Sequence, residues 1–207
     1  LDVDGGTIKL DGNYPVGSNN VALGDAALDS NVSGASNTAI GADALTANTA
    51  NANTAVGYQS LYDNTTGAAN VAVGYASLAN NTTAQKNVAV GVETLETNTT
   101  GQYNVALGTQ ALRLNTTASN NTAVGYQAGY SITTGGYNTI LGYGAGDAAN
   151  IEESVIIGYN AGTAVTGNQN TIVGSEAGKL ITSGSKNTII GRYNGNQGGL
   201  DIRTSSN

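Results

Sequence analysis

Apolar residues return along this chain in a short pattern with a period of 16 or 17 residues: Asn, a variable residue, Ala or Ile, an aliphatic residue, then Gly. Eleven copies begin at Asn20, Asn37, Asn53, Asn70, Asn87, Asn104, Asn121, Asn138, Ser154, Asn170 and Asn187. They end at Gly24, Gly41, Gly57, Gly74, Gly91, Gly108, Gly125, Gly142, Gly158, Gly174 and Gly191. In the type copy Asn70-Val71-Ala72-Val73-Gly74, strand alternation puts Val71 and Val73 on one face and Ala72 on the other. Both faces are apolar, so both are expected to be buried. Gly74 suits a corner, because it has no Cβ and tolerates positive φ. Tyr75-Ala76-Ser77-Leu78 is predicted as a second short strand and Asn80-Asn81-Thr82-Thr83 as a polar turn. Helix is disfavoured, since short apolar runs lie between turn signals and Asn, Thr and Gly are poor helix formers.

Such regular self-similarity predicts a stacked, quasi-one-dimensional molecule. The fold class expected is all-β: a parallel β-solenoid or β-roll of about eleven 16–17-residue coils. The roll spans residues 20–195, with residues 1–19 as an N-terminal capping segment and 196–207 as a C-terminal flank. Stacking at about 4.8 Å per coil gives a rod on the order of 50 Å long. Repeated positions then form columns. The Asn column has two open readings: hydrogen bonding from rung to rung, or simple tolerance of a turn conformation.

Numbering each coil from its Asn as position zero, position two is Ala in the first seven copies and Ile in the last four, from Ile140 on. Position eight is Leu in the first six, through Leu112, and Gly in the last five, from Gly129 on. Large residues at one position accompany small ones at the other in every copy except Ala123 with Gly129. Close packing requires such an exchange if both positions face one space, inside a coil or between chains. Two short strands are not expected to bury both faces within a single chain. A homo-oligomer is therefore expected, with threefold symmetry suited to a fibre.

Asn-Val-Ala-Val-Gly (70–74, 87–91) and Asn-Thr-Ala-Val-Gly (53–57, 121–125) resemble the YadA-like head repeats of trimeric autotransporter adhesins. The longer run Asn-Thr-Ala-Val-Gly-Tyr-Gln-Ala-Gly-Tyr (121–130) is similar to repeats of bacteriophage tail fibres, as are the flanks at 5–12 and 198–207. The resemblance implies an intertwined, left-handed homotrimer. It also implies a structural segment of a virion tail fibre that reaches toward the host and contacts a cell-surface glycan or protein. A bacterial adhesin head at the cell surface is the alternative. The period here is longer than the adhesin repeat of about 14 residues.

Composition narrows the chemistry. There is no Cys, His, Trp, Phe or Met, and only one Pro, Pro15. Collagen is excluded, because the 30 Gly residues follow no Gly-X-Y period. Disorder is disfavoured by the regular apolar register. The net charge of −7 disfavours nucleic acid and anionic membrane as partners, and no apolar run approaches the roughly 20 residues of a membrane span. Having no initiating Met, the chain reads as a piece of something longer.

No cofactor or metal is expected, and no enzyme. Without His or Cys, the common catalytic triads and structural zinc are excluded. Paired carboxylates could in principle hydrolyse glycosides; the candidates are Glu93 with Glu96, Asp147, and Glu152 with Glu153, which as strand neighbours would point apart. Asp2-x-Asp4-Gly5-Gly6 fails as a calcium loop at Gly6 and Asn13. Tyr58 should stack over Tyr75, and Tyr126 over Tyr143 over Tyr159, as ladders that cover a corner or bind a sugar. Tyr62, Tyr103, Tyr130 and Tyr137 fall in loops and second elements, where recognition is common. Asn-Thr-Thr at 64, 81, 98 and 115 is read as turn residues rather than glycan acceptors. An ice-binding solenoid is a further alternative, through Thr38 over Thr54 and Thr171 over Thr188. Val21, Val71, Val88, Val105 and Val155 interrupt that column, which is expected to face inward.

Overall fold

The computed structural model describes residues 17–148, 150–197 and 200–201. The readings made on Asp2 to Asn13, and on 198–199 and 202–207, lie outside these residues. Among the described residues there is no helix. Eleven three-residue strands form one parallel sheet in chain order: β1 Val21–Leu23, β2 Thr38–Ile40, β3 Thr54–Val56, β4 Val71–Val73, β5 Val88–Val90, β6 Val105–Leu107, β7 Thr122–Val124, β8 Thr139–Leu141, β9 Val155–Ile157, β10 Thr171–Val173 and β11 Thr188–Ile190. Each strand lies in register with the same repeat positions of the next; Val71, Ala72 and Val73 pair with Val88, Ala89 and Val90. The parallel β-solenoid expected from the repeat is thus the fold. After β11 an antiparallel pair, β12 Asn196–Gln197 and β13 Leu200–Asp201, closes the described chain.

The second strand predicted at Tyr75–Leu78 is absent. Ala76 and Leu78 have φ of 50° and 51°, outside strand geometry, and the first ten coils repeat the arrangement. These turns are still laddered along the axis: the Ala76 N–H donates back to Tyr58 O at 3.0 Å, and the Leu78 N–H donates forward to Thr94 O at 3.0 Å. Single left-handed residues aim successive N–H groups up and down the stack while bending the chain around the core. Pattern alone suggests a strand here because the backbone bonds run between coils, as in a sheet.

The repeat Gly is required at its corner. Gly74 has φ of 134°, and a Cβ there would lie 2.3 Å from Gly91 O. The Asn column is a true ladder. Asn70 N–H donates to Asn53 Oδ1 at 3.0 Å, while Asn70 Nδ2 donates to Ala84 O at 2.9 Å. Ser154 keeps the chain of bonds intact: its N–H donates to Asn138 Oδ1 at 3.0 Å, and its Oγ accepts from Asn170 N–H at 3.1 Å. The turn-tolerance reading is set aside, since the left-handed residue is the one before the ladder Asn, such as Ala69 at φ 58°.

Positions two and eight do share one space, and it lies inside the coil. A Cβ on Gly146 would sit 3.2 Å from Ile140 Cδ1, and one on Gly162 3.1 Å from Ile156 Cδ1. At the exception, Ala123 with Gly129, the space is filled by neighbours: a Cβ on Gly129 would lie 3.0 Å from both Ile140 Cδ1 and Leu112 Cδ2. The chain therefore fills the space inside each coil with its own side chains, on one strand face only.

Asn64, Asn81, Asn98 and Asn115 are not surface turn residues. They are fully buried and form a second ladder, Asn81 Nδ2 donating to Asn64 Oδ1 at 2.7 Å and Asn115 Nδ2 to Asn98 Oδ1 at 2.6 Å. A buried carboxamide with its nitrogen already engaged is no glycan acceptor.

Candidate functional site

With position two turned inward, positions one and three of every strand point out of the coil. The expectation that both strand faces are buried is therefore corrected, as is the inward placement of the Thr column: Val21 is 52% exposed, Leu141 45% and Ile190 79%. The outer face is two columns wide and eleven strands long. One column holds only Val and Thr; the other holds only Leu, Ile and Val. Neither contains a charged residue, although the net charge of the chain is −7.

Exposed tyrosines border this face just past the corner glycines. Tyr58 and Tyr75 stack with centroids 5.8 Å apart. Tyr126 and Tyr143 stack at 5.0 Å, and Tyr143 and Tyr159 at 5.5 Å, so both expected ladders form. Each interior ring in a ladder has its faces covered by its neighbours, which leaves edges and the end faces for other contacts. On the opposite border, Tyr103 and Tyr137 are exposed, and Lys86 Nζ lies 5.2 Å from the Tyr103 ring centroid. Tyr62 is exposed and Tyr130 half-buried.

The candidate carboxylates are tied into surface networks. Arg113 Nε lies 2.6 Å from Glu96 Oε2 and 3.3 Å from Glu93 Oε2, and its Nη1 donates to Tyr130 OH at 3.2 Å. Gln110 donates to Glu93 Oε2 at 2.8 Å and accepts from Gln127 at 2.8 Å. A guanidinium thus stands between the two carboxylates, where a glycoside hydrolase needs room for the sugar bond. The hydrogen bond that Arg113 donates to Glu96 leads in holding the Arg113 pKa above its usual value, against its desolvation. Asp147 accepts from Ser131 Oγ at 3.0 Å; burial pushes its carboxyl pKa up, and the Ser131 bonds oppose that. Glu152 and Glu153 are not strand neighbours: both lie in the exposed turn before β9, with Glu153 at φ 51° accepting from Gln169 at 2.8 Å. Among the described residues, no group of three or more His, Cys, Asp or Glu could hold a metal ion, and no helix is long and apolar enough to cross a membrane.

Sequence reading missed two features here. It did not pick out the outward direction of positions one and three, which depends on which strand face closes the coil. It also passed over the column before the ladder Asn, which runs along the second border of the sheet. Known protein families, curated proteins and solved structures give no match to this chain.

Proposed function

We propose that the chain is a structural, non-enzymatic segment of a trimeric fibre that extends toward a host cell surface and helps attach to it. A virion tail fibre is the first reading, and a bacterial trimeric adhesin head is the alternative. The observation that carries the proposal is the outer sheet face, uncharged and rich in aliphatic side chains along all eleven strands. An apolar strip of that length is costly to leave in water. Taken with the bordering edges, it is about 50 Å by 20 Å, or about 1,000 Å², against about 800 Å² per partner in a standard interface. The partner is a second and third copy of this chain. Host contact, with a surface glycan or protein, falls to what the assembly leaves exposed, the outer edges of the tyrosine ladders and Tyr62 among the candidates. Nucleic acid is not a partner on this reading, given the acidic surface.

Light scattering tests it directly. The expected mass is near three times 20.6 kDa, with resistance to mild SDS without boiling. A folded monomer would overturn the trimer. One observation favours a second reading, ice binding: the column of Thr38 over Thr54 faces solvent beside an aliphatic column. Thermal hysteresis from the monomer would establish it, and a trimer without hysteresis would remove it.

A further inference from the structure

We propose that in the trimer the border after the corner glycine of one chain packs against the border before the ladder Asn of the next, coil against the same coil. This rests on the trimer reading and adds its order and register. Both borders are solvent-exposed columns flanking the uncharged sheet face, so chains that bring those faces together must also bring the borders together.

The register follows from symmetry. Rotation about an axis along the rod leaves every residue at its own height. The strands lie across the rod, so the post-glycine residue of a coil meets the pre-Asn residue of the same coil in the neighbouring chain. Such a contact is heterologous, and it closes into a ring.

Side-chain sizes on the two borders complement each other at three coils. Exposed Tyr58 and Tyr75 follow their corner glycines, and the pre-Asn residues of the same coils are exposed Ala52 and Ala69. Where the pre-Asn residue is the large Tyr103, the post-glycine residue is the smaller Thr109. Large rings therefore meet small side chains at three coils, and at the coil that begins at Asn138 the pairing sets exposed Tyr137 against exposed Tyr143, ring against ring. The one like-charged pair in this register, Lys186 with Arg192, falls in the last coil, where Arg192 Nη2 is already 3.0 Å from Glu176 Oε2.

The chain has no Cys, which makes the test clean. The double variant Ala52→Cys with Tyr58→Cys is oxidised and run on boiling, non-reducing SDS gels. Within one chain the two sites lie on opposite sides of β3, whose three residues at about 3.3 Å each hold them beyond the ~7 Å reach of a disulfide. The expected result is a covalent three-chain band that collapses to single chains on reduction. Ala69→Cys with Tyr75→Cys should behave the same way, which guards against one pair disturbing the fold. Ala52→Cys with Tyr126→Cys, four coils out of register, should stay uncrosslinked. A parent chain of trimeric mass whose in-register variants fail to crosslink, or crosslink no better than the out-of-register control, would overturn the border pairing alone. A monomeric parent chain would overturn the trimer beneath it.

Discussion

In the coil that begins at Asn70 the interior is filled by Ala72, Leu78 and Asn81; in the coil that begins at Ser154 the same places hold Ile156, Gly162 and Val165. The backbone barely registers the change. Leu78 has φ of 51° and Gly162 has 57°. A left-handed conformation costs a residue with a Cβ roughly 1–2 kcal/mol, so Gly is the natural occupant of position eight. Leu accepts the strain in the first six coils because burying it is worth about 1.5–3 kcal/mol. When Gly relieves the strain, Ile at position two fills the vacated volume. The coil is therefore set by its inter-coil backbone bonds and corner glycines, and two different interiors satisfy it.

The two interiors do not join without cost. The inner Asn ladder ends at Asn115, because the next coil offers Ile132 at that position. Asn115 Oδ1 is the buried side-chain atom among the described residues that finds no hydrogen-bond partner. Such an unmet acceptor costs about 1–3 kcal/mol. In a stack where each coil touches only its neighbours, a defect of this kind stays local.

The largest expected effect comes from moving one interior into the other. Gly146→Leu places a Cβ 3.2 Å from Ile140 Cδ1 and 3.4 Å from Ile156 Cδ1. Overpacking and left-handed strain together should lower stability by about 3 kcal/mol. Adding Ile140→Ala recreates the Ala/Leu pairing within that coil and should recover at least about half the loss. A double-mutant cycle on unfolding midpoints measures the coupling. Simple additivity of the two substitutions would show that the exchange of volume is not the reason for the pattern.

Next in size is a break in the inner ladder. Asn81→Ile leaves Asn64 Oδ1 without its donor at 2.7 Å and takes from Asn98 Nδ2 one of its two acceptors, leaving Gly101 O at 3.0 Å. The unmet acceptor and the half-satisfied donor should together cost about 1–3 kcal/mol. Asn115→Ile should cost less than about 1 kcal/mol, since it only moves the ladder end, and with it the single unmet acceptor, back to Asn98. Equal losses from the two variants in a thermal melt would mean that the ladder does not act as a continuous unit.

Much of this was legible in the repeat. The strand at Val71–Val73, the corner at Gly74, the in-register stacking and the compensation between positions two and eight all follow from periods and volumes that need no coordinates. The misreadings share one physical source. Asn81-Thr82-Thr83 looks like a solvated turn because Asn is usually found at surfaces; only stacking in register gives each buried carboxamide its partner in the next coil. Leu78 looks like a strand residue because left-handed Leu is rare, and the bonds that compensate it lie a whole coil away. The outward direction of Val71 and Val73 depends on which face closes the coil, and alternation alone leaves both choices open. The tyrosine ladders were readable because one period aligns them; what they touch in an assembly is a question of neighbouring chains.

The smallest expected effect contrasts the surfaces of the two regions. Glu96 in the coil that begins at Asn87 has the Arg113 guanidinium at 2.6 Å, whereas Asp147, at the same position of the coil that begins at Asn138, meets the Ser131 hydroxyl. Burial raises the Asp147 pKa above 3.8, with Ser131 opposing. The folded chain then holds that proton more tightly than the unfolded chain does. Stability from this group is fully present below the ordinary carboxylate value and falls as pH rises through the folded pKa. Asp147→Asn keeps an acceptor for Ser131 and removes the charge. It should match the parent near pH 3 and exceed it at pH 7, by less than about 1 kcal/mol for a half-exposed group. Glu176 works in the opposite sense: Arg192 and then Lys179 lower its pKa, so its contribution is present at neutral pH and lost on acidification. Melting curves of the parent and Asp147→Asn at pH 3, 5 and 7 separate the two. An Asp147→Asn chain less stable than the parent at pH 7 would mean that the bond to Ser131 outweighs the burial of the charge.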